Sequence, residues 1–304
     1  MKRVLIMMVL VIALFITGCS NTVPAQKEET TQAAEEKTEA ATTEKEETTE
    51  AEKTEATGQD KNVIRIATNG THAKIVEEAK KHIESNTDYT VEIIVFDDVI
   101  QPNIAVLESS ADCNFFQHEP YLKSYAKEHN VDLAMWNDKP IYALEFGIYS
   151  DKVKSIEELK DGAQIVFGRD PSNRAIALHF LEEQGLIKLQ EGVEFPELLD
   201  VIENPKNLRL TEVDITAVAH SIEDPEVDAI VIMGFSIAGA GKDPSTAIAF
   251  GSDELISRFV SVLGVKGEDK DAEWGQAVYD ALTSDELNAY YEEHYKGSIR
   301  PVKK

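Results

Sequence analysis

Residues 62–96 read NVIRIATNGTHAKIVEEAKKHIESNTDYTVEIIVF, and this stretch decides the fold. Its two ends, 62–68 and 90–96, are rich in the β-branched residues that favour strands. Between them, residues 71–85 carry apolar side chains at helical spacing, and Thr71 is placed to cap that helix. A strand, a helix and a second strand in this order predict a parallel βαβ unit.

The same alternation continues toward the C-terminus. Strand patterns recur at 113–117, 162–168, 207–213 and 227–234. The last of these, VDAIVIMG, is almost wholly apolar, which predicts a central strand that is covered on both faces. We therefore expect an α/β fold with a mainly parallel core, and the roughly 240 residues after position 61 are enough for two lobes.

The N-terminus has the pattern of a secretory signal. Lys2 and Arg3 precede the apolar run VLIMMVLVIALFI, which is shorter than the ~20 residues that a membrane-spanning helix needs. The following ITGCS resembles a bacterial lipobox, which implies a signal peptide at 1–18 and lipid on Cys19. An uncleaved signal anchor is the alternative. With more than one acyl chain on Cys19, we expect stable, extracytoplasmic anchoring to the outer face of the cell membrane.

The segment at 19–61 has the composition of a disordered tether. It is dominated by Glu, Thr, Ala and Lys and contains no aromatic residue. Such a segment buries too little apolar surface to offset the entropy lost on ordering. The formal net charge of −26 argues against nucleic acid as a partner, because the phosphate backbone would be repelled.

The sequence lacks the motifs of common enzyme classes. It contains no G-x-S-x-G, no Walker-type glycine loop, no H-E-x-x-H and no Rossmann fingerprint. The histidines show no metal-ligand spacing. Once Cys19 carries lipid, Cys113 has no partner within the chain and is predicted to be a buried apolar residue. We expect no catalytic residue, no metal and no cofactor.

The stretch CNFFQHEPYL at 113–122 is the richest in candidate ligand contacts. Phe115 and Phe116 alternate on a strand, so one should enter the core and the other should wall a cleft. His118 precedes a helix and is either a ligand contact or a structural residue, since a metal would need further ligands. Tyr121, in the first turn of that helix, is a further candidate contact.

Other candidates lie near turns between strands and helices. Asn69 and His72 stand at the first such turn and are candidates for lining a cleft. Arg174 has the planar guanidinium that binds a carboxylate, or it is a surface residue at a helix start. Asn173 beside it is either a helix cap or a ligand contact. Glu145 is a candidate partner for a ligand amino group, with a solvated carboxylate as the alternative.

Several blocks of the chain resemble the NlpA/MetQ family of methionine-binding lipoproteins. They are NGTHAKIVE, QPNIAVLES, DCNFFQHEPYLKSYAKEH, KSIEELKDGAQIVFGRDPSN, VIENPKNLRL and YYEEHYKGSIRP, in this order. The resemblance implies a two-lobed, periplasmic-binding-protein-like fold of type II. It also implies delivery of an amino acid, usually methionine, to the permease and ATPase of an ABC importer.

The predicted lobes share the chain unequally. We assign 62–148 together with 237–304 to lobe 1 and 149–236 to lobe 2. The ligand is then expected in the cleft between them, beyond the carboxyl ends of the strands, where hinge motion can close the lobes on it.

Three positions depart from the pattern of that family. The resemblance implies an aromatic residue at Val99, a carboxylate-binding arginine at Ile176 and an asparagine at Phe235. Arg174 stands two residues before Ile176, about 200° around a helix, and cannot simply replace it. Val99 and Phe235 are kept as candidate contacts in an altered pocket.

The leading hypothesis is a lipid-anchored receptor that binds methionine, a related amino acid or a short peptide. One alternative is a receptor for a different small anion or a metal. The other is a surface interaction protein with a degenerate cleft.

Overall fold

The computed structural model describes residues 62–302, which belong to one compact unit. The predicted signal peptide, Cys19 and the tether at 19–61 lie outside the described residues. Between residues 62 and 302, no helix is both long and apolar enough to span a bilayer.

Strands and helices alternate along residues 62–302, as the sequence predicts. The strands are β1 Val63–Asn69, β2 Thr90–Phe96, β3 Cys113–His118, β4 Leu133–Met135, β5 Tyr142–Leu144, β6 Phe146–Tyr149, β7 Gln164–Gly168, β8 Lys188–Leu189, β9 Val201–Glu203, β10 Arg209–Val213, β11 Ala229–Met233, β12 Ala249–Phe250, β13 Val260–Lys266 and β14 Ile299–Pro301. The helices are α1 Ala73–Asn86, α2 Gln101–Leu107, α3 Glu119–His129, α4 Pro171–Glu183, α5 Ile215–Ser221, α6 Gly234–Gly239, α7 Asp253–Ser257, α8 Trp274–Leu282 and α9 Asp285–Tyr295.

The first sheet contains the βαβ unit with which the chain begins. Its strand order is β14-β5-β13-β3-β1-β2, and β4 pairs with β13 beside this path. β1 runs parallel to β2 and β3, as predicted, but β13 is antiparallel to β3, β4 and β5. The sheet is therefore mixed rather than mainly parallel. The antiparallel strand β13 joins it after the chain has passed through the other sheet.

The second sheet has the order β10-β7-β11-β6-β12. β7 is parallel to β10 and β11, whereas β6 is antiparallel to β11 and β12. All five residues of β11 are buried, so the apolar run at 227–234 does form the central strand. The α/β prediction is confirmed, with a mixed sheet in each half.

The chain crosses between the two sheets twice. It passes from β5 to β6 through the single residue Glu145, and it returns between Phe250 and Val260. The predicted lobe limits fall after residues 148 and 236 instead. The division into lobes stays a prediction, and its limits are best placed at these two crossings.

Helix α1 begins differently from the prediction. Its N-cap is His72 rather than Thr71, and no side chain of the cap residue binds the helix start. Instead, the Asn69 side-chain Oδ1 accepts a hydrogen bond of 3.2 Å from the His72 backbone N–H. The buried face comprises Ile75, Val76, Ala79 and Ile83, which pack against the first sheet. This turn places Asn69 and His72 at the carboxyl end of β1.

Candidate functional site

Residues from both sheets surround a cavity, which we term the inner cavity. Its enclosed volume is about 60 Å³, within a space of about 520 Å³ that includes the part open to solvent. Eight of the predicted contacts line it: Asn69, His72, Val99, Phe116, His118, Tyr121, Asn173 and Phe235. Seven residues that the sequence did not single out as contacts complete the lining: Thr71, Gln117, Leu144, Ile215, Thr216, Met233 and Ser236.

The position of the inner cavity follows from the strand directions. Asn69 is the last residue of β1 and His118 is the last residue of β3, both in the first sheet. Met233 is the last residue of β11 in the second sheet. Ligands of open α/β sheets bind beyond the carboxyl ends of such strands. The cavity therefore lies where this rule expects a ligand, with walls from both sheets.

A chain of hydrogen bonds crosses from one sheet to the other beside the cavity. Asn173 Nδ2 donates to Asp170 Oδ2 over 2.9 Å, and His118 Nε2 lies 3.4 Å from Asn173 Oδ1. His118 Nδ1 accepts from the Tyr121 backbone N–H at 3.1 Å. Because Nδ1 accepts, the ring proton of neutral His118 is on Nε2 and points to Asn173. Asn173 is not the helix cap, since Asp170 fills that position and accepts from the Asn173 N–H.

The two cavity histidines are both held in the neutral form. Burial lowers the pKa of His118, against the opposing effects of the Asp170 charge and the hydrogen bond with Asn173. Burial, with a smaller contribution from His118, lowers the pKa of His72 to about 3. Charging either ring would require desolvation of a cation without an adequate counter-ion. At neutral pH, neither histidine supplies a positive charge to the cavity.

Aromatic rings fix the orientation of His72. The centroid of its ring lies 4.8 Å from that of Phe235 and 5.7 Å from that of Phe115, both in edge-on contacts. His72 Nδ1 lies 3.0 Å from Asn69 Oδ1, which can only accept, so Nδ1 carries the proton. The lone pair on Nε2 is then the acceptor that His72 offers to a ligand. Phe115 enters the core beneath His72, whereas Phe116 on the opposite strand face walls the cavity.

Gln117 presents a side chain whose amide is already used. Its Nε2 donates to Asn103 Oδ1 at 2.8 Å and to Asn114 Oδ1 at 2.7 Å. Its Oε1 accepts from Asn103 Nδ2 at 3.2 Å. This buried amide cluster fits because β13 has Gly264 beside it, where an added Cβ would collide with the Asn114 side-chain amide. The cluster stiffens the cavity wall rather than offering new polar groups.

The lining of the inner cavity contains no Asp, Glu, Lys or Arg. The Tyr121 hydroxyl donates to the Val99 carbonyl at 2.8 Å, and burial followed by the Asp170 charge raises the pKa of Tyr121. In the described part of the chain, no three His, Cys, Asp or Glu side chains converge as metal ligands would. The cavity is thus built for an uncharged and largely apolar group.

Besides Phe115, which lies in the core, two predicted contacts lie outside the cavity because they bind other residues. Arg174 forms ion pairs with Glu197 at 3.3 Å and Glu212 at 3.4 Å, and its Nε donates to the Pro196 carbonyl. Arg174 is therefore engaged by protein carboxylates and does not line the cavity, contrary to its predicted role in binding the ligand carboxylate. Glu145 forms an ion pair with Arg300 at 3.1 Å, at the crossing between the sheets, and does not line the cavity.

The position at which the resemblance implies an arginine is also remote from the ligand space. Ile176 is fully buried in the largest hydrophobic cluster. Among the lining residues not predicted from the sequence, Met233 and Ile215 could have been found from the strand-end rule, because Met233 ends β11 and Ile215 lies two residues after the end of β10. Their apolar side chains carried no chemical signal of their own.

Comparisons with known proteins agree with this architecture. Residues 64–303 match the family described as NlpA lipoprotein. The D-methionine-binding lipoprotein MetQ of Escherichia coli is 33% identical over 231 residues, covering 75% of this chain and 84% of that protein.

Two solved structures show the same fold. A nutrient-binding protein from Burkholderia cenocepacia bound to methionine has a TM-score of 0.73 and 32% identity, covering 79% of this chain and 100% of that one. An ABC transporter periplasmic substrate-binding protein from Coxiella burnetii has a TM-score of 0.73 and 29% identity, with the same coverage of 79% and 100%.

Proposed function

Because the chain belongs to the NlpA lipoprotein family, we propose that it is the extracytoplasmic solute receptor of an ABC importer. Its ligand is methionine, a related amino acid or a short peptide, and lipid on Cys19 holds it at the outer face of the cell membrane. The observation that carries this proposal is the inner cavity, which lies between the two sheets at the carboxyl ends of their strands.

The chemistry of the cavity suits an apolar side chain such as that of methionine. Phe116, Phe235 and Met233 supply aromatic and thioether surface, and sulfur packs favourably against aromatic ring edges. The lone pair on His72 Nε2 can accept a hydrogen bond from a ligand N–H group. The side-chain amide nitrogens of Gln117 and Asn173 already donate within the protein, whereas no described residue accepts from Asn69 Nδ2.

The mechanism is binding and delivery, and no bond is made or broken. Between residues 62 and 302, two segments connect the sheets, and one of them is the single residue Glu145. A pair of crossings of this kind can act as a hinge, so that the halves close on the ligand and exclude water. The closed form then presents a distinct surface to the permease, and ATP hydrolysis by the partner ATPase drives transport.

The uncharged lining disfavours the alternative ligands. A small inorganic anion or a metal ion in the inner cavity would lose its hydration without a charged partner, which is costly. A surface interaction protein with a degenerate cleft would not require a cavity in which His72 and His118 are each oriented by a hydrogen bond.

A thermal-unfolding screen of the full-length protein in detergent tests the proposal. Ligands should include the common amino acids and methionine-containing dipeptides. A ligand at about 100 times its Kd stabilises the native state by about 2.7 kcal/mol, which raises the melting temperature measurably. We expect methionine or one of its relatives to do so. If none of them shifts the unfolding of a cooperatively folded sample, the proposed ligand class is wrong.

A further inference from the structure

A second space adjoins the inner cavity, and we term it the outer chamber. It encloses about 1150 Å³, counting the part open to solvent. Four residues line both spaces: Thr71, Ile215, Thr216 and Ser236. The two spaces are therefore adjacent, and these four residues form the wall that they share.

The charge of the outer chamber is unusual for so acidic a protein. The whole chain carries 56 Asp and Glu against 30 Lys and Arg. Yet the chamber lining itself holds Lys74 with two histidines, His220 and His294, and no carboxylate, although glutamates just outside the lining act on its Tyr290. Lys74 is exposed and forms no ion pair with any residue between 62 and 302. Among the described residues it is thus a cation of the chamber lining that forms no ion pair.

The inner cavity is a poor place for a negative charge. Its two histidines are neutral, and the nearby charges that act on Tyr121 are those of the carboxylates Asp98, Asp170 and Asp214. An anion there would be desolvated, would find no cation in the lining and would feel the field of these carboxylates.

Polar groups without a partner occur at the shared wall instead. The hydroxyl groups of Thr71 and Ser236 make no hydrogen bond with another described residue. By contrast, the side-chain amides of Gln117 and Asn173, on the inner side, are used in internal hydrogen bonds. A ligand would thus find unused hydroxyl groups at the shared wall, in addition to the acceptor that His72 Nε2 offers in the inner cavity.

We infer that the ligand binds with its apolar part in the inner cavity and its carboxylate in the outer chamber, with Lys74 as the counter-charge. The inference rests on the proposed function and adds the direction of the ligand and a specificity-determining residue. The ligand class is then an apolar amino acid or a peptide that ends in one. The chamber leaves room for groups attached on the outer side, as in a dipeptide.

Calorimetric titration with L-methionine and L-methionine amide tests this orientation. The two probes differ only in the carboxylate. The variants are Lys74→Gln, which removes the charge, and Lys74→Arg, which retains it. Lys81→Gln is the matched control, since Lys81 lies on the same helix and pairs with Glu78 outside the chamber.

We expect Lys74→Gln to weaken binding of L-methionine by about twofold to fivefold, which is typical of an exposed ion pair. Lys74→Arg should stay within about twofold of the wild type, and raised salt should shrink the difference. Binding of the amide should be unchanged or slightly tighter in Lys74→Gln, because a positive charge near a cationic ligand is removed.

Two outcomes would overturn the inference and leave the proposed function standing. One is equal L-methionine affinity in the wild type and Lys74→Gln. The other is an equal loss for the acid and the amide. Failure of the folded wild type to bind any amino acid or dipeptide would instead overturn the proposed function, and the inference with it.

Discussion

His118 and Asn173 face each other from opposite halves of the fold, with His118 Nε2 3.4 Å from Asn173 Oδ1. His118 ends β3 in the first sheet, and Asn173 lies in the first turn of α4, which packs on the second sheet. Each group has its other hydrogen-bonding partner within its own half, Tyr121 and Asp170 respectively. The pair therefore joins two preorganised walls of the inner cavity.

Removal of this contact should weaken ligand binding. Asn173→Ala leaves the His118 Nε2–H and Asp170 Oδ2 without their partner, and a buried unsatisfied group costs about 1–3 kcal/mol. We expect a lower melting temperature and about a tenfold loss of affinity for L-methionine, measured by calorimetry.

The neighbouring Arg174 provides the control. Arg174→Gln breaks the ion pairs with Glu197 and Glu212 but touches no part of the cavity. It should lower stability by about 1 kcal/mol and leave the affinity within about twofold of the wild type. If Arg174→Gln loses more affinity than Asn173→Ala, Arg174 is a ligand contact after all.

The buried His72 should make stability depend on pH. Its pKa is about 3 in the folded protein against an ordinary value of 6.5, so the unfolded chain binds the proton more tightly. The contribution of neutral His72 to the free energy of unfolding is then fully present above pH 6.5 and is lost as the pH falls toward 3. Between pH 6.5 and 5, His72 alone should account for a loss of ~2 kcal/mol.

Urea unfolding at several pH values measures this dependence. His72→Gln should flatten the slope of the unfolding free energy between pH 6.5 and 5, whereas His220→Gln, at an exposed helix end, should not. Equal slopes in the wild type and His72→Gln would mean that the folded state accepts a proton on His72 without penalty.

An arginine introduced at position 176 should not create a carboxylate clamp. Ile176 is 0% exposed and lies within the hydrophobic core, so Ile176→Arg would bury a charge without a partner. We expect destabilisation of more than ~4 kcal/mol in urea unfolding, against about 0.5–1.5 kcal/mol for the control Ile176→Val. A stable Ile176→Arg variant that binds L-methionine more tightly would show that this side chain can reach the ligand.

Lipid on Cys19 should hold the protein on the membrane. Cys19→Ser removes the acceptor thiol, so the protein should move from the membrane fraction to the soluble fraction of the producing bacterium. Cys113→Ser is the control, because Cys113 is buried and burial raises the pKa of its thiol. Membrane retention of Cys19→Ser, detected by immunoblotting of both fractions, would point to an uncleaved signal anchor instead.

Local patterns in the sequence were sufficient to predict most elements of the fold. The apolar run at 227–234 alone predicts a central strand. In the structure, all five residues of β11 are buried. The late antiparallel insertion of β13 could not be foreseen, because a strand pattern carries no information on direction or on the sheet that it joins.

The site was predictable where chemistry and strand ends coincide. His118 and Asn69 are polar residues at strand ends, and both line the cavity. Arg174 was a candidate ligand contact because its guanidinium can bind a carboxylate. The direction of its side chain depends on where α4 begins and on Glu212, which is 38 residues away in the chain. Long-range pairing of this kind is invisible in local sequence patterns.

A crystal structure of the protein grown with L-methionine tests the central claim most directly. The account predicts one ligand in the inner cavity, with its side chain between Phe116 and Phe235 and its carboxylate toward Lys74. Ligand density at another surface, or an empty inner cavity in crystals of a sample that binds methionine in solution, would contradict it.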